Sequence, residues 1–255
     1  MNMEINFDHY YSGTSGLLLP VPNKLHYPEE FKDKSRLCYY ASLMDTIEIN
    51  SSFYKIPQAS TMKKWAADVP DEFRFTFKLF KEITHNKGLA FDPELIGRFM
   101  QVISNVEEKK ACLLVQFPPS VRLAQFSQLR FLMSVLRDND PEMQWQISLE
   151  FRHPSLYVEE VYELLETYQM GMVIHDKSPA NSPVKETHPD FTYLRFHGPG
   201  GNYRGSYADD VLYEYATYIT EWLSEGKKVF VYFNNTMGEA HRNLNTLRQI
   251  VRDTY

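Results

Sequence analysis

The sequence predicts a closed (β/α)8 barrel of the TIM type, one domain spanning residues 1–255. Three observations lead there. Short apolar or alternating segments are followed by stretches of helical periodicity about eight times along the chain, the pattern of a parallel sheet wrapped in helices. A length of 255 residues with 43% hydrophobic content suits one large core. No linker, low-complexity tract or short internal repeat divides it. A doubly wound open sheet is the alternative reading of the same alternation.

The first strand is expected near Tyr10–Ser15, ending in Gly13-Thr14-Ser15-Gly16, and after a long loop comes a helix carrying Leu37, Tyr40, Ala41 and Met44. Thr46–Asn50 is the second strand, leading into the loop Ser51-Ser52-Phe53-Tyr54; its helix begins at Ser60 and stops at Pro70. Phe73–Lys78 alternates strictly and forms the third strand. Asp92-Pro93 reads as an N-cap with proline at the first helical position, opening a helix with the stripe Leu95, Phe99, Val102 and Val106. Ala111–Phe117 and Gln146–Phe151 are strands four and five, each followed by a helix (Phe126 to Leu136, Val158 to Tyr168), and Met172–His175 is strand six. Lys177–Pro189, rich in Ser, Pro and Asn, reads as a long loop and a candidate lid. Phe191–His197 is strand seven, the glycine-rich loop Gly198–Gly205 follows, and a helix covers Asp210–Ser224. Lys228–Phe233 and a helix through Ala240, Leu244, Leu247 and Val251 complete the pattern.

Composition narrows the function classes. A net charge of -6 argues against a broad nucleic-acid or anionic-membrane surface. No stretch reaches transmembrane length, and the opening MNMEINFDHYY lacks the basic and apolar regions of a signal peptide, so a cytoplasmic location is expected. Cys38 and Cys112 both sit in apolar patterns and are expected to be buried packing residues.

The strands carry polar residues where a packed barrel should not waste them. Thr46, Glu48 and Asn50 share one face of the second strand; Arg74, Thr76 and Lys78 share one face of the third. Gln146, Ser148, Glu150 and Arg152 do so in the fifth, and Tyr193, Arg195 and His197 in the seventh, with Gln116 from the fourth and Tyr232 and Asn234 from the eighth. The apolar faces must meet the helices, so these polar faces point into the barrel. Buried polar groups need partners or a ligand, and they gather at the C-terminal strand ends where barrel enzymes keep their chemistry.

Two readings of this cluster follow. In one it is an internal salt-bridge network of Glu48 and Glu150 with Lys78, Arg152 and Arg195. In the other, Glu48 and Glu150 have pKa values pushed apart and serve as acid and base, with His197 assisting. Lys78, Arg152 and Arg195 would then hold a carboxylate or phosphate, the arginines in bidentate fashion. Asn50, Gln116, Asn234 and Asn235 would orient hydroxyl groups, and Asp176 and Tyr203 complete the candidate set. The loop from His197 to Gly205 occupies a recurrent phosphate position of barrels, and reads equally as a phosphate cradle or a plain flexible loop. Glu48, Glu150, Asp176, His175 and His197 are of metal-binding type, but none has the short spacing of a ligand motif, so no metal is assigned. No cofactor is assigned either. His85, after the third strand, is a secondary candidate at the rim.

Seven of these segments occur together in order: Gly13-Thr14-Ser15-Gly16, Glu48 to Tyr54, Phe77-Lys78 with Ile83-Thr84-His85, Gln116 to Pro119, Glu150-Phe151-Arg152-His153, Tyr193 to Gly198, and Tyr232 to Thr236. In this set the chain resembles the YecE-like family, over nearly its whole length. The resemblance implies a TIM-type barrel and no established activity. Where that family usually has an aromatic-rich segment after the first motif, this chain has Leu17-Leu18-Leu19-Pro20-Val21-Pro22.

The expectation is an enzyme of hydrolase or isomerase type acting on a small phosphorylated or carboxylated, polyhydroxylated substrate. A metal-dependent phosphodiesterase acting on nucleic acid and a non-catalytic small-anion-binding protein are the alternatives.

Overall fold

Strict alternation gives each strand one face for the helices and one for the barrel axis, and the computed structural model, which describes residues 6–254, shows how both are used. The first five residues of the opening segment, on which the absence of a signal peptide was partly read, lie outside the described residues.

Eight parallel strands run β1 (Tyr10–Thr14), β2 (Thr46–Ile49), β3 (Arg74–Lys78), β4 (Lys110–Gln116), β5 (Gln146–Glu150), β6 (Gly171–His175), β7 (Phe191–Phe196) and β8 (Lys228–Phe233). Between and after them lie α1 (Arg36–Ala41), α2 (Ser51–Tyr54), α3 (Ala59–Ala67), α4 (Lys81–Thr84), α5 (Pro93–Ile103), α6 (Phe126–Asp138), α7 (Glu159–Thr167), α8 (Asp209–Ser224) and α9 (Ala240–Asp253). The sheet order β1-β8-β7-β6-β5-β4-β3-β2 is that of a barrel opened at one seam. The eightfold repeat has one exception: β6 and β7 are joined by irregular chain with no helix.

The β1–β2 seam is closed by few contacts. Ser15 bridges Glu48 in parallel register, and the Gly16 amide donates to the Glu48 carbonyl at 2.8 Å. Tyr40, from α1, puts its hydroxyl in the gap, accepting from the Thr14 amide at 2.8 Å and donating to the Thr46 carbonyl at 3.1 Å. The strands come so close that a Cβ on Gly13 would lie 2.0 Å from the Thr46 carbonyl oxygen, which is why the position is glycine.

Two apolar layers result. Ile47, Phe75, Phe77, Val115, Leu149 and Val231 face outward into the main core with the helices. A smaller cluster of Cys112, Leu114, Val173, Tyr193, Phe230 and Tyr232 fills the lumen. The Tyr232 hydroxyl meets Thr46 Oγ1 at 2.8 Å and Thr76 Oγ1 at 2.7 Å, so these three hydroxyls are satisfied within the barrel. Cys112 is buried as expected, but Cys38 is only half-buried on α1; both are free thiols.

Asp92 caps α5 as predicted, accepting from the Glu94 amide at 3.0 Å. The buried stripe of α5 is Ile96, Phe99, Met100 and Ile103, with Leu95 and Val102 at its flank. Val106 is buried from the 3-10 segment after the helix, where the chain has already turned. Ser51–Tyr54, expected as loop, is a single helical turn, with Ser52 Oγ donating to the Ile49 and Lys78 carbonyls at 2.8 and 2.7 Å. Leu17, Leu18 and Val21 pack against the outer core.

Candidate functional site

The inward positions at the C-terminal ends of β2, β5 and β7 bring Glu48, Glu150 and Arg195 into contact, all buried. Arg195 Nε and Nη2 engage Glu48 Oε2 and Oε1 at 2.9 and 2.7 Å, a bidentate pair. Nη2 also reaches Ser15 Oγ at 3.3 Å. Nη1 donates to Glu150 Oε2 and to His197 Nε2, the latter at 3.2 Å. A guanidinium has five N–H donors, and all five of Arg195 are spent on the protein. Arg195 fixes charge at the site but has no donor left for a ligand.

The carboxylates are engaged as well, although Glu150 Oε1, ion-paired with Arg152, has no hydrogen-bond partner. Glu48 also accepts from Ser15 and from the Tyr193 hydroxyl, and Glu150 pairs with Arg152 as well as Arg195. Burial alone would push both carboxyls up. The guanidiniums overcome it, holding Glu48 below and Glu150 well below the usual carboxylate range. Their pKa values are therefore displaced in the same direction, not apart.

His197 Nε2 faces two guanidiniums, Arg152 Nη2 at 3.1 Å and Arg195 Nη1 at 3.2 Å, and must accept from them. The proton therefore sits on Nδ1, which donates to Asp176 Oδ1 at 3.2 Å. Burial holds His197 below its ordinary pKa, so it is neutral. Asp176 also accepts from the His197 amide at 2.7 Å and from the Tyr207 hydroxyl. His175 is likewise neutral, pushed down to about 4 chiefly by burial. Its Nε2–H donates to the Phe151 carbonyl at 2.9 Å and its Nδ1 accepts from the Lys177 amide at 3.1 Å.

Above this layer lies a cavity of about 200 Å³ lined by Asn50, Phe53, Tyr54, Lys78, Gln116, Arg152, Arg195, Tyr203 and Asn234. Seven of these were expected from sequence; Phe53 and Tyr54 were not assigned to the site, although they end the motif that begins at Glu48. Their signal was there: two consecutive aromatics directly after a polar strand end. Glu48, Glu150, His197 and Asp176 lie outside the cavity lining, under or behind it. So does Asn235, which is buried and donates to the Gly205 carbonyl and to Asn243 Oδ1, each at 3.1 Å.

Several lining groups have unused hydrogen-bonding capacity. Asn50 donates to Ser15 Oγ at 2.6 Å while its Oδ1 is buried without a partner, as is Arg152 Nε. Lys78 Nζ has no hydrogen-bond or ion-pair partner among the described residues. It sits 4.2 Å from the centroid of the Phe53 ring. Burial first, and then the charge of Arg195, pull its pKa down to about 8. His85, pushed down to about 4 by burial and by the nearby Lys78 charge, stands edge-on to Phe53 with ring centroids 4.9 Å apart.

A second lobe of about 230 Å³ shares Gln116, Arg152 and Tyr203 with the first, and is walled by Pro119 and by residues 177–180 of the helix-free β6–β7 connection. Across it, Lys177 Nζ donates to the Gly201 carbonyl and lies over the Tyr203 ring. The glycine-rich loop is folded on itself. The amides of Gly198, Gly201, Tyr203 and Arg204 donate to Tyr207 Oη, the Gly198 carbonyl, the His197 carbonyl and Asn202 Oδ1. Those four donors are not available to a phosphate; the loop instead delivers Tyr203 to the cavity. Gly198 permits this at φ +94, where an added Cβ would lie 2.2 Å from the Arg204 carbonyl oxygen.

Among the described residues no group of three or more His, Cys, Asp or Glu side chains is arranged to hold a metal ion, and no described helix is long and apolar enough to cross a membrane.

Comparison with known proteins gives a consistent result. The family model described as "Protein of unknown function DUF72" matches residues 11–255. UPF0759 protein YunF of Bacillus subtilis is 26% identical over 244 residues, 83% of this chain and 84% of that protein. UPF0759 protein YecE of Escherichia coli is 23% identical over 118 residues, 46% of this chain and 42% of that protein. A crystal structure of a DUF72 family protein from Thermotoga maritima superposes with a TM-score of 0.79 at 27% identity, covering 95% of this chain and 99% of that one. A DUF72 family protein from Enterococcus faecalis gives 0.79 at 22% identity, covering 96% of each chain.

Proposed function

The chain belongs to the DUF72 family, and from that premise we propose that it is an enzyme doing acid–base chemistry, of hydrolase or isomerase type, on a small phosphorylated or carboxylated, polyhydroxylated substrate at the C-terminal mouth of its barrel. The observation that carries this reading is the distribution of charge across two layers. The carboxylates Glu48 and Glu150 are buried beneath the cavity and paired with guanidiniums, while Lys78 and Arg152 line the cavity and Lys78 Nζ has no hydrogen-bond or ion-pair partner among the described residues. A cavity with cations on its wall and its carboxylates beneath it favours an anionic guest.

In this reading Arg152 binds the phosphate or carboxylate, and Asn50, Gln116, Asn234 and Tyr203 take hydroxyl groups. Glu48, Glu150, Arg195, His197 and Asp176 are positioning residues: they hold Arg152 and the floor of the cavity in place. Lys78 is the reactive group, giving up and regaining its own proton during the reaction, because a lysine with a pKa near 8 is present in both protonation states near neutrality.

A thermal-shift screen of sugar phosphates, polyol phosphates and hydroxy acids tests the reading. Members of those classes should raise the melting temperature of the full chain, be turned over, and lose both effects in Arg152→Met. Stabilisation without turnover would favour the non-catalytic anion-binding alternative. Retention of DNA or RNA with metal-dependent cleavage, and no response to the small anions, would favour the phosphodiesterase, against which the net charge of -6 counts.

A further inference from the structure

We propose that Lys78 is a covalent nucleophile that forms an imine with the carbonyl carbon of its substrate, and that the substrate is therefore a small aldehyde or ketone bearing a phosphate or carboxylate. This rests on the small-anion reading of the cavity and narrows its substrate class.

The geometry behind it is the isolation of one amine among satisfied charges. Glu48 and Glu150 face Lys78 from β2 and β5, Arg195 and Arg152 from β7 and the end of β5, and His85 from the α4 side. The two carboxylates are committed to the two arginines, so neither forms an ion pair with the Lys78 ammonium. The arginines disfavour that ammonium by repulsion, and burial disfavours it further. A buried lysine beside other cations is the arrangement that leaves an amine unprotonated and nucleophilic.

The cavity also supplies what the reaction needs around the amine. The Nζ lone pair attacks the carbonyl carbon, the C–N bond forms, and the carbonyl π electrons move to oxygen. Nitrogen loses a proton and oxygen gains one, giving a carbinolamine. Loss of the C–O bond with a second proton releases water and leaves the C=N bond. Arg152 and Asn50 line the same cavity as Lys78; the Arg152 guanidinium holds the anionic group, and the Asn50 side chain takes the carbinolamine O–H or N–H. The Phe53 ring 4.2 Å from Nζ faces a cation equally well as ammonium or as iminium.

Reductive trapping on the full wild-type chain tests this with glycolaldehyde phosphate as the probe and cyanoborohydride supplying hydride to the C=N bond, followed by peptide mass mapping. The expected result is an adduct on Lys78 that forms at least tenfold faster than on exposed Lys63, with a rate rising through a midpoint near pH 8. Inorganic phosphate should slow it, and the adduct should be absent from Lys78→Arg. Labelling of Lys78 no faster than Lys63, or a midpoint near pH 10, overturns the proposal. If phosphate binds in a separate calorimetric titration while Lys78 remains unlabelled, the nucleophile is wrong and the anion site stands. If Lys78 reacts equally fast with unphosphorylated glycolaldehyde and phosphate does not compete, the anion reading fails and the nucleophile stands.

Discussion

Arg195 and Glu48 meet side-on at the top of the barrel, Nε to Oε2 at 2.9 Å and Nη2 to Oε1 at 2.7 Å, with both side chains buried. The pair is the centre of a chain of charges, Glu48–Arg195–Glu150–Arg152, that crosses the lumen from β2 to the end of β5. Breaking a buried pair from one side leaves the other charge uncompensated, at about 3–5 kcal/mol. Glu48→Gln should therefore lower the unfolding free energy by about 3 kcal/mol, the low end because Glu150 still serves Arg195. Urea denaturation measures it. A loss below about 0.5 kcal/mol, the usual size for a surface substitution, would contradict the buried network.

Tyr40 carries a different load, the β1–β2 seam. Tyr40→Phe keeps the ring and removes the hydroxyl that serves the Thr14 amide and the Thr46 carbonyl. Each buried group left without a partner costs about 1–3 kcal/mol. The expected outcome is a loss of about 2–6 kcal/mol in urea, with hydrogen exchange accelerated first in β1 and β2. Unchanged exchange in those strands would show that the seam is held elsewhere.

Acid sensitivity should begin well above the carboxylate range. Stability rises with pH wherever the unfolded chain binds more protons than the folded one. His175 has its folded pKa lowered from 6.5 to about 4, and His197 is lowered too. Between those values the unfolded chain is protonated and the folded one is not, so stability falls as pH drops from 6.5 towards 4. Glu48 and Glu150 have folded values below 4.5, so their contribution is present above that pH and is lost as pH falls through their folded values. The urea midpoint measured from pH 8 to pH 4 should fall gently at first as Lys78, lowered to about 8, regains its proton, decline further below 6.5 and steepen below 4.5. A midpoint constant down to pH 5 would contradict the neutral, buried histidines.

Much of this was legible in the sequence because alternation is a local signal. Glu48, Arg195 and Lys78 each sit two residues from other polar side chains on their strands, which was enough to send them inward and to place them at one end of the barrel. Strand β8 occupies the expected residues, 228–233, and the Asp92 cap is where the Asp-Pro signal put it. A network of Glu48 and Glu150 with Lys78, Arg152 and Arg195 was among the readings, and the structure pairs the two arginines with the carboxylates and leaves Lys78 out; which cations pair depends on which strands stand opposite one another across the lumen. Nothing in the spacing of Glu48 and Glu150 says that Arg195 reaches both, and so nothing says that its five donors are used up. The glycine-rich loop shows the same gap: composition marked it as permissive backbone, while the inward turn of its amides depends on Tyr207 and Asn202 meeting it. Phe53 and Tyr54 escaped because a single helical turn, rather than a loop, aims them at the cavity.

Arg152, and not the saturated Arg195, offers the barrel mouth to an anion. Isothermal titration of the full chain with inorganic phosphate, beside Arg152→Met, tests it most directly. One phosphate should bind per chain, weakened by added salt, with affinity at least tenfold lower in Arg152→Met, a difference of about 1.4 kcal/mol or more. Equal affinity in the two proteins, or no phosphate binding by the wild type, would contradict it.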